Sequence, residues 1–348
     1  MRIDLVIVGW GRVAQRFAAL LDEQRRTLAR DYDVTTRIVE TITRRPDSVD
    51  AVRRAVRAHA AAARQGRLVV VESTTLDVDT GEPATSHVRA ALAGGAHVIT
   101  VNKGPVAVAY DALRRAGARA GRQFRFEGAV MDGVPVFNCA AELMPAVTVT
   151  GFRGVVNSTT NYIITAMEHG EPFDSALAAM QRAGIAEADA SLDVDGWDAA
   201  AKTAALANVL LDARITPRDV EREGISEASG QAIQAARATG RRVKLVASAR
   251  GRGRSVHARV GLLELTDTDL LARLDGSQNA IVLETDLLGD VAIVELGSGL
   301  TQTAYALLAD LIAVARTVGS SLRPRTRATR RLRRRAPRDG TRSARGRR

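Results

Sequence analysis

The chain has 348 residues, 46% hydrophobic and 26% charged, so it can bury a sizeable core and disorder throughout is excluded. No apolar run approaches the roughly 20 residues of a membrane helix, and the opening MRIDLVIVGW lacks the long apolar stretch of a secretory signal. One cysteine (Cys139) and five histidines without ligand spacing argue against a disulfide framework or structural zinc, so a soluble cytoplasmic protein is expected.

The net charge of +11 is local. Residues 323–348 hold 13 arginines and one acid, while the other 322 residues hold 37 basic and 38 acidic groups. The tail therefore reads as disordered and solvated, with contact to nucleic acid or an acidic membrane surface as the lesser alternative.

In chain order, the β-branched run Ile3–Val8 predicts a buried parallel strand. The turn Gly9-Trp10-Gly11-Arg12-Val13-Ala14 follows and opens a helix reaching about Arg30. This GxGxxA spacing suits a nucleotide loop: Gly9 permits the tight turn, Gly11 lets backbone approach a pyrophosphate, Ala14 lets helix pack on strand, and Arg12 and Val13 open the helix at the phosphate. A second strand, Val34–Thr43, ends in Arg44 and Arg45 rather than an acid, which suits the 2′-phosphate of NADP; Glu40, earlier in the strand, keeps NAD open. Strands at Leu68–Val71 and His97–Thr100 alternate with a helix around Pro83–Gly94. Their carboxyl ends, at Ser73-Thr74-Thr75 and Asn102-Lys103, should converge on one crevice. A helix over Ala109–Gly121 and a strand at Phe124–Phe126 complete a nucleotide-binding domain of residues 1–140.

From residue 147 the pattern changes to VTVTGFRGVV, then helices over Thr160–His169, Phe173–Ala183 and Trp197–Leu211, with strands at Val243–Ala249, Val256–Leu263, Ala280–Thr285 and Asp290–Glu295. This predicts a second domain, residues 141–298, a mostly open sheet covered by helices. A last helix, Leu300–Val318, forms a segment 299–320 returning to the nucleotide domain, before the tail 321–348.

Only three of the 50 basic residues are lysines: Lys103, Lys202 and Lys244. In so arginine-rich a chain a lysine points to a place where a titratable, compact ammonium is needed. Asp198 and Lys202 stand four apart on a predicted helix and so share a face, where the carboxylate can poise the ammonium to stabilise and protonate an alkoxide made by hydride transfer.

Four segments, VNKGPVA (101–107), FEGAVMDGVPVF (126–137), NSTTNYIITAM (157–167) and AEADASLDVDGWDAAAK (186–202), together resemble homoserine dehydrogenase, and GSGLTQTAYALLADL (297–311) extends the likeness to about residue 318. The resemblance implies an α/β protein, a Rossmann-type doubly wound parallel sheet with a second α+β catalytic and dimerisation domain, in the short form without a C-terminal regulatory domain. It implies NADP-dependent interconversion of L-homoserine and L-aspartate 4-semialdehyde, on the route to threonine, methionine and isoleucine, by a homodimer. Lys202 would donate the proton in aldehyde reduction and accept it in reverse, beside Asp198. Glu187 and Asp193 would bind the substrate end, and Lys103 would sit near nicotinamide and substrate. Gly297 and Gly299 would face the cofactor. A monovalent cation such as Na+ would lie at Glu127, Val130, Asp132 and Val134. Met131-Asp132-Gly133 and Ser158 depart from the family pattern, which leaves another small amino-alcohol or aldehyde as an alternative substrate. An idle nucleotide-binding protein using its basic tail is the alternative of a different class.

Overall fold

A computed structural model of the chain describes residues 1–43, 46–182 and 189–322, with side chains to residue 319; Arg44, Arg45, Glu187 and the arginine-rich segment 323–348 lie outside the described residues. The first half alternates strand and helix: β1 (Arg2–Val8), α1 (Arg12–Glu23), α2 (Arg25–Tyr32), β2 (Thr35–Ile42), α3 (Ser48–Ala58), α4 (Ala60–Arg64), β3 (Leu68–Glu72), α5 (Ala84–Ala93), β4 (His97–Thr100), α6 (Gly104–Ala120) and β5 (Phe124–Arg125). The strands form a parallel sheet in the order β2-β1-β3-β4-β5. The chain thus leaves β1 to one side and returns to the other, so the carboxyl ends of β1 and β3 flank the switch point where open α/β sheets take ligands.

Both faces of this sheet are buried, which is why β1 is apolar without strict alternation. Ile3, Leu5 and Ile7 pack with Phe17 of α1 on one face, and Val6 and Val8 pack with Val52 and Val88 on the other. The first face is completed by Leu307, Leu311 and Val314 of the last helix, which returns from the far end of the chain.

The second half contains α7 (Val136–Asn138), β6 (Val149–Val155), α8 (Ser158–Glu168), α9 (Phe173–Arg182), α10 (Ser191–Val194), α11 (Trp197–Leu210), β7 (Glu221–Arg222), α12 (Ser229–Ala238), β8 (Arg241–Arg250), β9 (His257–Thr266), β10 (Asn279–Thr285), β11 (Gly289–Glu295) and α13 (Leu300–Leu322). Its mixed sheet runs β11-β10-β6-β8-β9-β7. Val243, Leu245, Ala247 and Ala249 of β8 turn one face to a core shared with α8, α11 and α12.

Helix α11 joins the two halves. Its Ala200, Ala204 and Ala207 are fully buried in one core with Val106 and Ala107 of α6, and such small side chains permit close helix approach. Buried Asn208 fastens the contact by donating from Nδ2 to the carbonyls of Ala107 (3.0 Å) and Val106 (3.3 Å).

Three local expectations differ. The helix expected to run to Arg30 is broken at Gln24 into α1 and α2, and the second piece buries Leu28 against the sheet. Helix α6 begins at Gly104 rather than Ala109, because Pro105 in the first turn is already set for helix and Asn102 Oδ1 accepts the Gly104 N–H at 2.9 Å. Helices α3 and α12 have no counterpart among the expected elements, although in α3 Ala51, Val52, Ala55 and Val56 carry helical spacing.

Candidate active site

At the switch point β1 ends in Gly9, whose φ of +87° favours glycine and where a Cβ would stand 2.7 Å from the Ser73 carbonyl oxygen. The side chain of Ser73 closes the same contact, its Oγ donating to the Gly9 carbonyl at 2.9 Å. Gly11 precedes α1 with no side-chain cap, and a Cβ there would meet nothing within 4 Å. The first amides of α1 therefore carry no side-chain cap and follow a glycine with clear space at its Cβ position, an arrangement that fits a pyrophosphate. Arg12 is exposed and Val13 half-buried at the same helix start.

The next loop is tied from beneath by Glu72, fully buried at the end of β3. Its carboxylate accepts from Thr74 N at 3.1 Å, from Thr74 Oγ1 and, across the sheet, from Thr100 Oγ1 at 3.1 Å. Asn102 Nδ2 donates to the Thr74 carbonyl at 3.0 Å.

A charged cluster stands at the junction of α6 and α11. Gly196, at φ +79°, sets the start of α11, and one turn of that helix puts Lys202 Nζ 3.0 Å from Asp198 Oδ2. Lys103, immediately before α6, reaches the other oxygen of Asp198 at 3.1 Å. Lys202 also donates to the Val156 carbonyl at 2.7 Å. These side chains keep only 15–18% of their surface in contact with solvent, so screening is weak. Burial disfavours charge on Asp198, but Lys103 and Lys202 outweigh it and hold the carboxyl far below the ordinary range. Burial likewise opposes the Lys202 ammonium, yet the Asp198 carboxylate and its hydrogen bond raise the lysine above its usual value. Asp193 is driven the other way: burial, then the nearby Asp198 charge, raise its carboxyl.

The fold thus brings Lys103, Asp193, Asp198 and Lys202 into one cluster, with Gly9, Gly11, Ser73 and Thr74 at the crevice. Lys244 is separate: its fully buried ammonium donates to Leu274 O (2.6 Å) and Asn161 Oδ1 (3.1 Å) inside the second sheet, and burial lowers it to about 8. Lysine scarcity therefore pointed to the cluster twice out of three times.

Gly297 and Gly299 precede α13, whose first turn lies beside α1 through Arg16 Nε donating to Thr301 Oγ1 at 3.0 Å. Gly299 N donates to Asp132 Oδ2 (3.1 Å) and Thr303 Oγ1 to Asp132 Oδ1 (2.9 Å), so Asp132, itself at φ +43°, holds the start of α13. In the same segment Glu127 accepts from Phe137 N and Asn138 N, both at 2.8 Å, and burial followed by the Asp310 charge raises it to about 7. Both carboxylates are thus engaged by the protein's own donors. Among the described residues no three His, Cys, Asp or Glu side chains group to hold a metal.

Two features went unnoticed in the sequence. Asn157 Nδ2 donates to both Asp193 Oδ1 (2.7 Å) and Asp198 Oδ2 (2.9 Å), and a helix-capping asparagine carries no sign of that reach. Asn279 Nδ2 joins Ser158 Oγ (2.8 Å) to buried Glu295 (2.9 Å), a pairing across β10 and β11 invisible without the register.

Comparison with known proteins covers both halves of the chain. Residues 9–127 match the family model described as the NAD binding domain of homoserine dehydrogenase, and residues 135–312 match the model described as homoserine dehydrogenase. The chain is 41% identical over 249 residues to an NAD(+)-dependent homoserine dehydrogenase of Pseudomonas canavaninivorans, covering 71% of this chain and 70% of that protein. It is 37% identical over 245 residues to a homoserine dehydrogenase of Methanocaldococcus jannaschii, covering 70% and 71%. The fold is similar to the crystal structure of a homoserine dehydrogenase from Thiobacillus denitrificans, with a TM-score of 0.79 at 28% identity over 94% of this chain and 76% of that one. No described helix is long and apolar enough to cross a membrane. A parallel nucleotide-type sheet, a lysine–carboxylate cluster beside its crevice and matches over both halves place this chain in the homoserine dehydrogenase family, a group of NAD(P)-dependent oxidoreductases.

Proposed function

We propose that the chain interconverts L-homoserine and L-aspartate 4-semialdehyde with NADP as the preferred cofactor, and that Lys202 moves the proton. The observation that carries this reading is the ammonium of Lys202 held at 3.0 Å by Asp198. The nicotinamide, when bound, supplies or removes the hydride at the substrate carbon. In reduction the Lys202 ammonium gives a proton to the oxygen as negative charge grows there; in oxidation its amine form takes that proton from the hydroxyl. Asp198 keeps the ammonium oriented and charged, so reduction draws on the protonated form that dominates at neutral pH and oxidation gains as pH rises. Lys103 shares Asp198 and sits at the crevice end of its strand, where it suits contact with both ligands. Asp193 and Glu187 are read as carboxylates for the substrate's α-ammonium group.

Gly9, Gly11, Arg12, Val13, Ser73, Thr74, Gly297 and Gly299 are read as the cofactor wall. The preference for NADP rests on Arg44 and Arg45 after β2 with no acid beside them. The relative named NAD(+)-dependent supports the opposite preference. A monovalent cation would have to rest chiefly on the carbonyl oxygens of the Glu127–Val134 segment, since its carboxylates are already occupied, and no proton or hydride step needs it. We read the chain as a homodimer through the second sheet, whose face opposite the helices leaves His257, Arg259 and Leu263 exposed; light scattering on the eluted protein should return twice the chain mass.

Initial-rate oxidation of L-homoserine, followed as reduced cofactor with NADP and NAD in parallel, tests reaction and cofactor together. Homoserine-dependent turnover favouring NADP is expected, and an Arg44→Ala, Arg45→Ala protein should lose that preference. Cofactor binding without homoserine turnover would reject the substrate, and an unchanged preference would reject the arginines.

A further inference from the structure

Asn157 is buried, with 5% of its surface exposed, and both polar atoms of its side chain are committed. Its Oδ1 caps α8, accepting from Thr160 N at 2.8 Å and from Thr160 Oγ1 at 3.0 Å. Its Nδ2 has two hydrogens, and they go to two different carboxylates, Asp193 at 2.7 Å and Asp198 at 2.9 Å. The preceding carbonyl, Val156, accepts from Lys202 Nζ. Two consecutive residues thus touch three members of the charged cluster, which lie 36–46 residues further along the chain in α10 and α11.

The cap alone does not explain this residue. Ser, Thr or Asp caps a helix as well as Asn, but none of them offers two N–H donors to two carboxylates. The charges around Asp193 show what the donors accomplish. It faces Asp198 and Lys202 of α11, Lys103 from the start of α6, and Asn157 from the start of α8. Asp198 is neutralised by two lysines, whereas Asp193 is half-buried beside a like charge. Of the two carboxylates it is therefore the one that would take up a proton first, and a protonated carboxyl cannot hold a substrate ammonium by charge. A neutral donor shared between them relieves the repulsion without adding charge that would compete with the substrate.

We infer that Asn157 is a positioning residue of the active site, whose amide N–H groups keep Asp193 ionised and aligned with the Asp198–Lys202 pair so that the substrate's cationic end is held while the proton moves. This rests on the assignment of Asp193 and Lys202 given above. Asn157 itself transfers no proton.

The test uses Asn157→Ser, which keeps a cap for Thr160 N and loses both donors, in the full chain and again in an Asp193→Asn background. Melting temperature and the cofactor dissociation constant, read by fluorescence, should stay close to those of the parent. The homoserine KM should rise about tenfold, the size of one lost hydrogen bond to a charged group, with a smaller change in kcat. The acid limb of the kcat/KM profile should move up by about one pH unit. In the Asp193→Asn background the same substitution should move the limb no further. Asn157→Thr, which also caps α8 and adds no charge, carries the same test if Asn157→Ser does not fold. A folded variant with an unmoved acid limb, or with the same movement in both backgrounds, overturns the inference. Retained turnover in Lys202→Ala would instead reject the active-site assignment on which it rests.

Discussion

The crevice at the ends of β1 and β3 and the charged cluster at the junction of α6 and α11 are made of different materials. The crevice is chiefly backbone: a left-handed glycine pressed on Ser73, an open Gly11 and the uncapped start of α1. The cluster is side-chain charge, with Lys103, Asp198, Lys202 and Asp193 drawn from three segments and joined by Asn157. Backbone sites depend on conformation and tolerate little added volume, while charge sites depend on burial and protonation. The same class of substitution should therefore fail differently on the two sides.

The largest expected effect is on the charged side. Lys202→Ala should lower turnover by about 10²–10⁴-fold, the usual weight of general acid–base catalysis, with cofactor affinity held in a binding titration. On the backbone side, two glycines separate stability from binding. Gly9→Ala places a Cβ 2.7 Å from the Ser73 oxygen at φ +87° and should cost about 1–3 kcal/mol of stability, seen as a lower melting temperature, as well as cofactor binding. Gly11→Ala meets no protein atom, so melting should barely change while cofactor Kd rises by about tenfold or ~1.4 kcal/mol. Equal losses of stability in both variants would break the distinction.

Asp198→Asn sharpens the charged side. Asp198 raises the Lys202 ammonium, so its removal should let the lysine deprotonate at lower pH. The alkaline rise of homoserine oxidation should then begin about 1–3 pH units lower, read from a kcat profile; an unmoved profile would show that another group limits the rate.

The smallest effect concerns the seam between α13 and the Glu127 segment. Burial raises Glu127 and Asp310 to about 7 each, from ordinary values of 4.5 and 3.8. Since the native pKa values are the higher ones, the unfolded chain releases these protons first. Stability from this pair is therefore highest at acid pH and declines between pH 4 and about 7. Asp310→Asn, which keeps an acceptor for Glu127 N, should flatten that decline in melting temperature across the same window.

Much of the molecule was legible without coordinates, for local reasons. The apolar run ending at Val8, the glycines after it and the four-residue spacing of Asp198 and Lys202 report strand, turn and helix face directly, because each depends on neighbours in the chain. Segment likeness over five motifs also carried the family. The role of Asn157 was not legible, because an asparagine before a helix is sufficiently explained by its cap. Lys244 was flagged by its rarity, yet nothing in its surroundings along the chain distinguishes a buried structural ammonium from one in the cluster.

The sequence alone thus determined the five strands of the first sheet, the phosphate-type turn, the pairing of Asp198 with Lys202 and the confinement of net positive charge to residues 323–348. Tertiary structure alone decided that Lys103 shares Asp198 and that Asn157 spans two carboxylates. The physical reason is range. Helix faces, turns and strand burial follow from periodicity and backbone sterics over a few residues, whereas the charge state of a buried group follows from whatever the packing of α6 on α11 brings within about 4 Å of it.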